Sequence, residues 1–328
     1  MNVHKDISGQ PLDSYMLGLG QKARKACLNL RRASSELKAD ALNHMASEIR
    51  QASSAILSAN ETDMKAATAK GLSDAMCDRL KLDSGRIESI ASGLEAISAL
   101  PDPVGDIDET WSQPNGLKFS KVRVPIGVIG MIYESRPNVT ADAGALCLKS
   151  GNACILRGGS ESTNSNHAIH YALCKGLEMA GLPADAIQLI STTDRAAVGH
   201  LLSGLDAHVD LIIPRGGKSL IKRVQSDARV PVLAHLEGLC HSYVHQDANQ
   251  AMALDVVVNA KMRRTGVCGS TETVLIDQTI ANEFLPTLAD KLGELGCEMR
   301  GDKNSQFISS DIKSACLLYT SPSPRDRG

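Results

Sequence analysis

Between Ile126 and Ser226 the chain switches repeatedly from a short apolar run of branched residues to a longer run of helix formers, with glycine or polar residues at the changeovers. The expected strands are Ile126 to Ile132, Ala153 to Leu156, Ile187 to Ile190 and Val209 to Ile213. The expected helices are Val139 to Lys149, Ser162 to Ala180, Asp194 to Ser203 and Lys218 to Ser226, followed by short strand-like runs at Val230 to Ala234 and Ser242 to His245. Short strands alternating with helices pair in parallel through right-handed crossovers, so the pattern implies an α/β fold with a parallel sheet. Ligands of such sheets bind beyond the carboxyl ends of the strands.

Aromatic residues make up only 3% of the chain, so its core has to be built from Ala, Val, Leu and Ile, which suits helices packed on a parallel sheet. At 328 residues with 43% hydrophobic content, the chain is long enough for two domains. Residues 12–99 read as a purely structural helical layer: no proline falls between Pro11 and Pro101, and Ile87, Ile90, Ala91, Leu94 and Ile97 share one helical face. Asn60, followed by Glu61 and Asp63, marks an expected helix start, and Gly71 an expected stop.

Charge and cysteine usage exclude several function classes. The net charge is -2 and neither sign gathers into a block, which excludes a nucleic-acid partner. The longest clean apolar run, Val124 to Tyr133, is too short to span a bilayer, so no membrane partner is expected. Nine scattered cysteines with no CxxC pair argue for a reducing, cytoplasmic setting and against a disulfide framework or a metal site.

An Asn115-Gly116 pair separates Thr110 to Gln113 from Leu117 to Val122, the signature of a hairpin. It carries the only tryptophan, Trp111, and one of three phenylalanines, Phe119. Two readings stay open: an arm that covers a neighbouring subunit, or a hairpin folded back on its own domain.

Three strand ends carry unusual turns. Leu156-Arg157-Gly158-Gly159-Ser160 and Ile213-Pro214-Arg215-Gly216-Gly217-Lys218-Ser219 each place an arginine, two glycines and a hydroxyl ahead of a helix. Glycines let backbone N–H groups face an anion at a helix N-terminus, and arginine adds charge with bidentate geometry. Neither is a GxGxxG or Walker loop. Their recurrence on one sheet points to a nucleotide. The third is Tyr133-Glu134-Ser135-Arg136-Pro137-Asn138-Val139, in which Asn138 either caps the following helix through its oxygen or aims its amide N–H at an oxyanion.

Downstream, a helix-like run from Ala251 to Met262 and a strand-like run from Thr271 to Ile276 leave Thr265 to Ser270 as a tight connection, with Cys268 between Gly266 and Gly269. A thiol with an ordinary pKa of about 8.5 is mostly protonated at neutral pH, and Arg263 and Arg264 stand immediately upstream as the charges able to tilt that balance. Glycines on both sides remove bulk where a substrate must approach, which marks Cys268 as a nucleophile rather than a core thiol.

With these segments in hand, the chain resembles the γ-glutamyl phosphate reductases, a family of the aldehyde dehydrogenase superfamily. The marks are Val124-Pro-Ile-Gly-Val-Ile-Gly130, Tyr133-Glu-Ser-Arg-Pro-Asn-Val-Thr140, Leu156-Arg-Gly-Gly-Ser-Glu161, Gly238-Leu-Cys-His-Ser-Tyr243 and Asn259-Ala-Lys-Met-Arg-Arg-Thr-Gly-Val-Cys268. The resemblance implies Cys268 as catalytic thiol, Asn138 as oxyanion donor, and NADPH facing Arg157, Gly158, Gly159, Ser160, Pro214, Arg215, Gly216 and Gly217. It implies reduction of L-glutamyl 5-phosphate to L-glutamate 5-semialdehyde through a cysteine thioester in proline biosynthesis. Arg136, Arg263 and Arg264 are candidates for the substrate's charged groups by charge and position, and equally for structural ion pairs. The hairpin matches part of the family's oligomerisation arm, so a homo-oligomer is implied.

The general-base glutamate of acid-forming aldehyde dehydrogenases falls near His235, with Glu237 close by, a mismatch that favours a reductase. His245 stands where the family commonly has an acidic residue. The resemblance implies an aldehyde-dehydrogenase-like α/β fold, with a cofactor domain built on a Rossmann-type parallel sheet (1–107 and 125–245), a hairpin arm (108–124) and a smaller α/β catalytic domain (246–315). The run 316–328 lacks periodicity and reads as a non-native tail, leaving the catalytic domain C-terminally truncated. Two alternatives are another acyl reductase of the superfamily and an inactive truncated fragment that keeps the cofactor fold.

Overall fold

In the central strand β3 (Val128–Tyr133), five of the six residues are buried, so its apolar run has no polar alternation to show. This computed structural model describes residues 11–234, 238–265 and 267–315. The chain forms two compact units, Met1–His235 and Leu236–Gly328. Among the described residues no helix is long and apolar enough to cross a membrane.

The first unit opens with five helices, α1 (Leu12–Leu30), α2 (Ser35–Gln51), α3 (Ser53–Ala69), α4 (Asp74–Leu80) and α5 (Ser84–Ser98). The hairpin β1 (Ile107–Ser112) and β2 (Lys118–Val122) follows, and then β3. The alternating region continues as α6 (Asn138–Lys149), β4 (Ala153–Arg157), α7 (Thr163–Met179), β5 (Ile187–Leu189), α8 (Ala196–Leu202), β6 (Leu211–Arg215) and α9 (Lys218–Asp227). The four strands form a parallel sheet in the order β5-β4-β3-β6. The run expected as a strand at Val230 to Ala234 contributes only a single parallel bridge, Ile212 to Val232.

One continuous cluster of buried side chains joins the opening helices to the sheet, from Met16 in α1 to Val224 in α9. Each fully buried Leu or Ile in it, such as Leu42 or Ile155, contributes about 1.5–3 kcal/mol over an exposed position. The expected helix start at Asn60 is absent, because α3 runs through it. Asn60 and Asp63 instead lie three residues apart on its buried face. Asn60 donates to Leu80 O and Ser165 Oγ and accepts from Leu82 N, while Asp63 accepts from the backbone N–H groups of Asn164 and Ser165. Polar residues that resemble a cap in sequence thus cap α7 from a neighbouring helix.

The hairpin forms as expected, with Trp111 paired across from Phe119, their rings stacked 5.5 Å apart, and Gly116 at φ +86 in the turn. Every residue of both strands is exposed, so the hairpin is not folded back on its own domain.

The second unit contains β7 (His241–Val244), α10 (Gln250–Met262), β8 (Thr273–Ile276), α11 (Ala281–Glu294), β9 (Arg300–Gly301), α12 (Lys303–Ile308) and β10 (Lys313–Ser314). The segment 241–245, expected to close the cofactor domain, belongs here because β7 finds its backbone partner in β8, pairing in parallel. The core is small, built on Val244, Val257, Phe284, Leu288 and Leu292.

Candidate active site

In the first unit, the carboxyl ends of β3, β4 and β6 bring the three unusual turns together. Backbone Glu134 N donates to Arg215 O at 3.2 Å, tying the turn after β3 to the end of β6. The Glu134 carboxylate then accepts from Gly217 N at 3.0 Å, at the N-terminus of α9. A Cβ at Gly216 would lie 2.6 Å from Glu134 Cδ, so a larger residue there would displace the Glu134 carboxylate. At this turn the N–H of Gly217 therefore faces an anion that is the chain's own carboxylate.

Beyond Glu134 the backbone turns through Ser135, which is buried and holds φ +41. Left-handed backbone costs a residue with a Cβ roughly 1–2 kcal/mol. The turn holds it between the Glu134 bond to Arg215 and a Val139 N to Arg136 O bond. Arg136 is half-buried in this turn.

Asn138 is the first residue of α6, and no side chain caps that helix. The capping reading is therefore excluded. The Asn138 amide donates instead to Asp142 Oδ2 at 2.8 Å, one turn along the helix. A primary amide has two N–H donors, so one is fixed by Asp142 and one is left for another acceptor. Burial raises the Asp142 carboxyl above its ordinary range, while Asn138 and the charge of Arg215 pull it back.

The turn after β4 is built differently. Arg157 donates from Nη1 to Gly158 O at 2.6 Å and from Nη2 to Thr193 O at 3.2 Å. Its Nε is buried with no hydrogen-bond partner among the described residues. Burial lowers the guanidinium below its ordinary value, with Glu161 opposing and repulsion from Arg195 and Arg223 adding to it. A buried unmet donor costs about 1–3 kcal/mol. Ser160 is exposed and its hydroxyl donates to Glu161. A shallow cleft beside this turn is lined by Gly158, Gly159, Thr163 and the backbone run 189–193. Behind it, Tyr133, Thr140, Asn166 and Ser162 form a buried hydrogen-bonded chain that fixes the ends of β3 and α7. Of the second turn, Pro214 is buried and Arg215, Gly216 and Gly217 are exposed.

In the second unit Cys268 is exposed on the connection between α10 and β8, as are Arg263 and Arg264. Its loop is pinned on both sides: Val267 N bonds Arg264 O, Ser270 N bonds Val267 O, and Ser270 Oγ bonds Lys261 O. Thr271 N reaches Ala260 O, and the buried Thr271 hydroxyl meets Ser242 Oγ at 2.8 Å. A Cβ on Gly269 would meet nothing within 4 Å, so the space beside the thiol is open. A Cβ on Gly238 would lie 2.0 Å from Cys268 O, so this glycine permits backbone contact with the thiol loop. The Cys240 thiol donates to the same carbonyl at 3.1 Å. The structure thus gathers the expected cofactor residues with Asn138 and Arg136 in one unit, and Cys268 with Arg263 and Arg264 in the other. His235 and Glu237 lie outside the described residues, as does the tail 316–328.

Sequence reasoning missed Glu134, Asp142, Gly238 and Cys240. Glu134 and Asp142 flank Asn138 by four residues on either side, so an acidic pair centred on the amide was the available signal. Nothing in the spacing of Gly238 and Cys240 announces Cys268, 28 residues beyond Cys240.

Comparison with known proteins adds to this geometry. Residues 19–310 match the model of the aldehyde dehydrogenase family. The γ-glutamyl phosphate reductase of Caulobacter vibrioides is 56% identical over 302 residues, covering 92% of this chain and 73% of its own. That of Rhodospirillum rubrum is 55% identical over 315 residues, covering 96% and 74%. The crystal structure of γ-glutamyl phosphate reductase from Thermotoga maritima superposes with a TM-score of 0.86 at 39% identity, over 92% of this chain and 73% of that one.

Proposed function

The chain belongs to the aldehyde dehydrogenase family and, within it, to the γ-glutamyl phosphate reductases, and from that premise we propose how its own residues perform the reaction. It reduces L-glutamyl 5-phosphate to L-glutamate 5-semialdehyde and phosphate, a step of proline biosynthesis. It is an oxidoreductase that uses a nicotinamide cofactor, which we take to be NADPH. The observation that carries the chemistry is the exposed Cys268 thiol on a loop pinned at both ends.

The Cys268 thiolate attacks the acyl phosphate carbonyl, the C–O bond to phosphate breaks, and the acyl group stays on sulfur as a thioester. Asn138 stabilises the oxyanion with the amide N–H that Asp142 does not use, and Asp142 fixes the direction of the amide. When bound, a reduced nicotinamide would supply the hydride that takes the thioester carbonyl to the hemithioacetal. Cys268 then leaves as thiolate when the hemithioacetal collapses to the semialdehyde. Arg136, Arg263 and Arg264 receive the substrate's carboxylate.

Arg157, Gly158, Gly159 and Ser160 would hold one end of the dinucleotide, beside the cleft lined by Gly158, Gly159 and Thr163. Pro214, Arg215, Gly216 and Gly217 form the second contact, where an entering phosphate competes with the Glu134 carboxylate. The exposed hairpin, with its stacked Trp111 and Phe119, covers a second copy of the chain in a homo-oligomer. Unchanged light scattering after deletion of 108–122 would remove that assignment.

The reaction is tested in reverse, with glutamate semialdehyde and NADP in the presence of phosphate, of coenzyme A, or of neither. Phosphate-dependent formation of NADPH, faster with NADP than with NAD, is expected. Dependence on coenzyme A would make the chain an acyl-CoA reductase instead. Asn138→Ala should lower kcat roughly a hundredfold, the usual cost of one oxyanion donor, and a kcat within twofold of wild type would remove its role.

A further inference from the structure

We propose that Cys240 and Cys268 form a reversible disulfide, which makes the thiol loop a peroxide-sensitive modification site. Its effect on turnover rests on Cys268 being the nucleophile, but formation of the bond does not.

The Cys240 Sγ lies 3.1 Å from Cys268 O. A carbonyl oxygen is at most two bond lengths, roughly 2.75 Å, from its own Cα. Cys240 Sγ is therefore within about 5.9 Å of Cys268 Cα, which places the Cys240 thiol directly against the backbone that carries Cys268. The contact is not confined to one atom. A Cβ built on Gly238 would lie 3.4 Å from Cys268 Cα, so the segment leading to Cys240 runs against the Cys268 backbone.

Cys240 is held in place independently of its thiol. Its carbonyl accepts from Glu272 N at 2.9 Å and from Thr273 N at 3.2 Å, where β7 and β8 begin to pair.

Accessibility sets the order of events. Cys268 is exposed and Cys240 half-buried, so an oxidant meets Cys268 first. In the first unit, Cys147 and Cys154 are buried, and burial pushes the Cys174 thiol up to about 12, which suppresses its thiolate.

The oxidant is a peroxide. The Cys268 thiolate attacks one peroxide oxygen, an S–O bond forms and the O–O bond breaks, and the other oxygen leaves as hydroxide. Sulfur is oxidised by two electrons and the peroxide is reduced by two. Cys240 sulfur then attacks the sulfenic sulfur, the S–S bond forms, the S–O bond breaks, and the departing hydroxide takes the Cys240 proton as water. A dithiol reductant restores both thiols. Closure of the bond stops Cys268 from proceeding to sulfinic acid, which dithiols do not reverse.

The experiment treats the full chain with hydrogen peroxide, blocks remaining thiols by alkylation, and maps peptides by mass spectrometry before and after dithiothreitol. The expected result is a cross-linked pair of peptides carrying Cys240 and Cys268, lost on reduction, with activity falling and returning in parallel. In Cys240→Ser the Cys268 peptide should appear as sulfinic or sulfonic acid, and dithiothreitol should restore no activity. Wild-type Cys268 recovered as sulfinic acid beside an alkylated Cys240, or linked to a different cysteine, would overturn the proposal without any need for the variant to fold. A mapped disulfide with undiminished turnover would leave this bond standing and remove Cys268 as nucleophile. Absence of the bond together with an inactive Cys268→Ser would do the reverse.

Discussion

At the strand ends of the first unit, polar groups are spent on one another: Glu134 on Gly217, Asn138 on Asp142, and the Tyr133–Thr140–Asn166–Ser162 chain behind them. Around Cys268 the pattern is reversed. There the backbone is tied by Arg264, Lys261, Ala260 and Cys240, while the side chains of Arg263, Arg264 and Cys268 stand exposed. The first region has its side chains tied to one another, whereas the second leaves its side chains exposed on a tied backbone. The difference teaches that rigidity and exposure are separable. A loop can be fixed through its main chain and still leave its thiol open to attack.

The largest effect should come from the exposed atom itself. Cys268→Ser is expected to lower turnover by roughly a thousandfold or more, with nucleotide binding and thermal midpoint unchanged, because the variant keeps the main-chain ties. Substantial activity in steady-state assays would mean that the exposed loop is not the reacting one. Next comes the backbone that supports it. Gly238→Ala places a methyl where Cys268 O now sits and should cost about a hundredfold in kcat, since a displacement of about 1 Å at a reacting group has that effect. Unchanged kcat, with circular dichroism showing the native fold, would break the claim that the main chain positions the thiol.

A smaller effect is expected at the strand ends of the first unit. Glu134→Gln removes the carboxylate charge from the α9 N-terminus, so the KM for the nucleotide should fall several-fold if phosphate and carboxylate compete there. A raised KM would instead make Glu134 a direct support of the nucleotide site.

The smallest concerns stability alone. Burial lowers the pKa of His170, whose Nε2 lies 2.8 Å from Ile187 O, below its ordinary 6.5. The unfolded chain therefore binds more protons below pH 6.5. Its contribution to stability is complete above that value and is lost as pH falls from 6.5 toward the folded pKa. Denaturant melts at pH 7.5 and 5.5 should show a larger acid loss for wild type than for His170→Gln. Equal losses would show that this group is not what couples the first unit to pH.

Much of this molecule was legible in its sequence, for a physical reason. The strand and helix periods around β3, β4, β5 and β6 are local properties of the chain, and Asn115-Gly116 specifies its own turn. Residue types that must sit at a strand end or a tight loop, such as Arg157, Asn138 and Cys268, also announced themselves. What did not was everything decided by contacts between distant segments. Asn60 and Asp63 looked like a helix start, yet they serve α7 more than a hundred residues away. Glycines 216 and 217 looked like an open anion cradle, yet Glu134 fills it from another strand. The 241–244 strand looked like the end of one domain because local pattern cannot say which strand it will pair with.

The most direct test of the account is to look for the acyl group on sulfur. The full chain is incubated with L-glutamyl 5-phosphate in the absence of nucleotide, quenched in acid, and mapped by mass spectrometry, with Cys268→Ser in parallel. A glutamyl adduct confined to the Cys268 peptide, released by hydroxylamine and missing from the variant, is the expected result. An adduct on another residue, or catalytic turnover by the variant at the wild-type rate, would contradict the account.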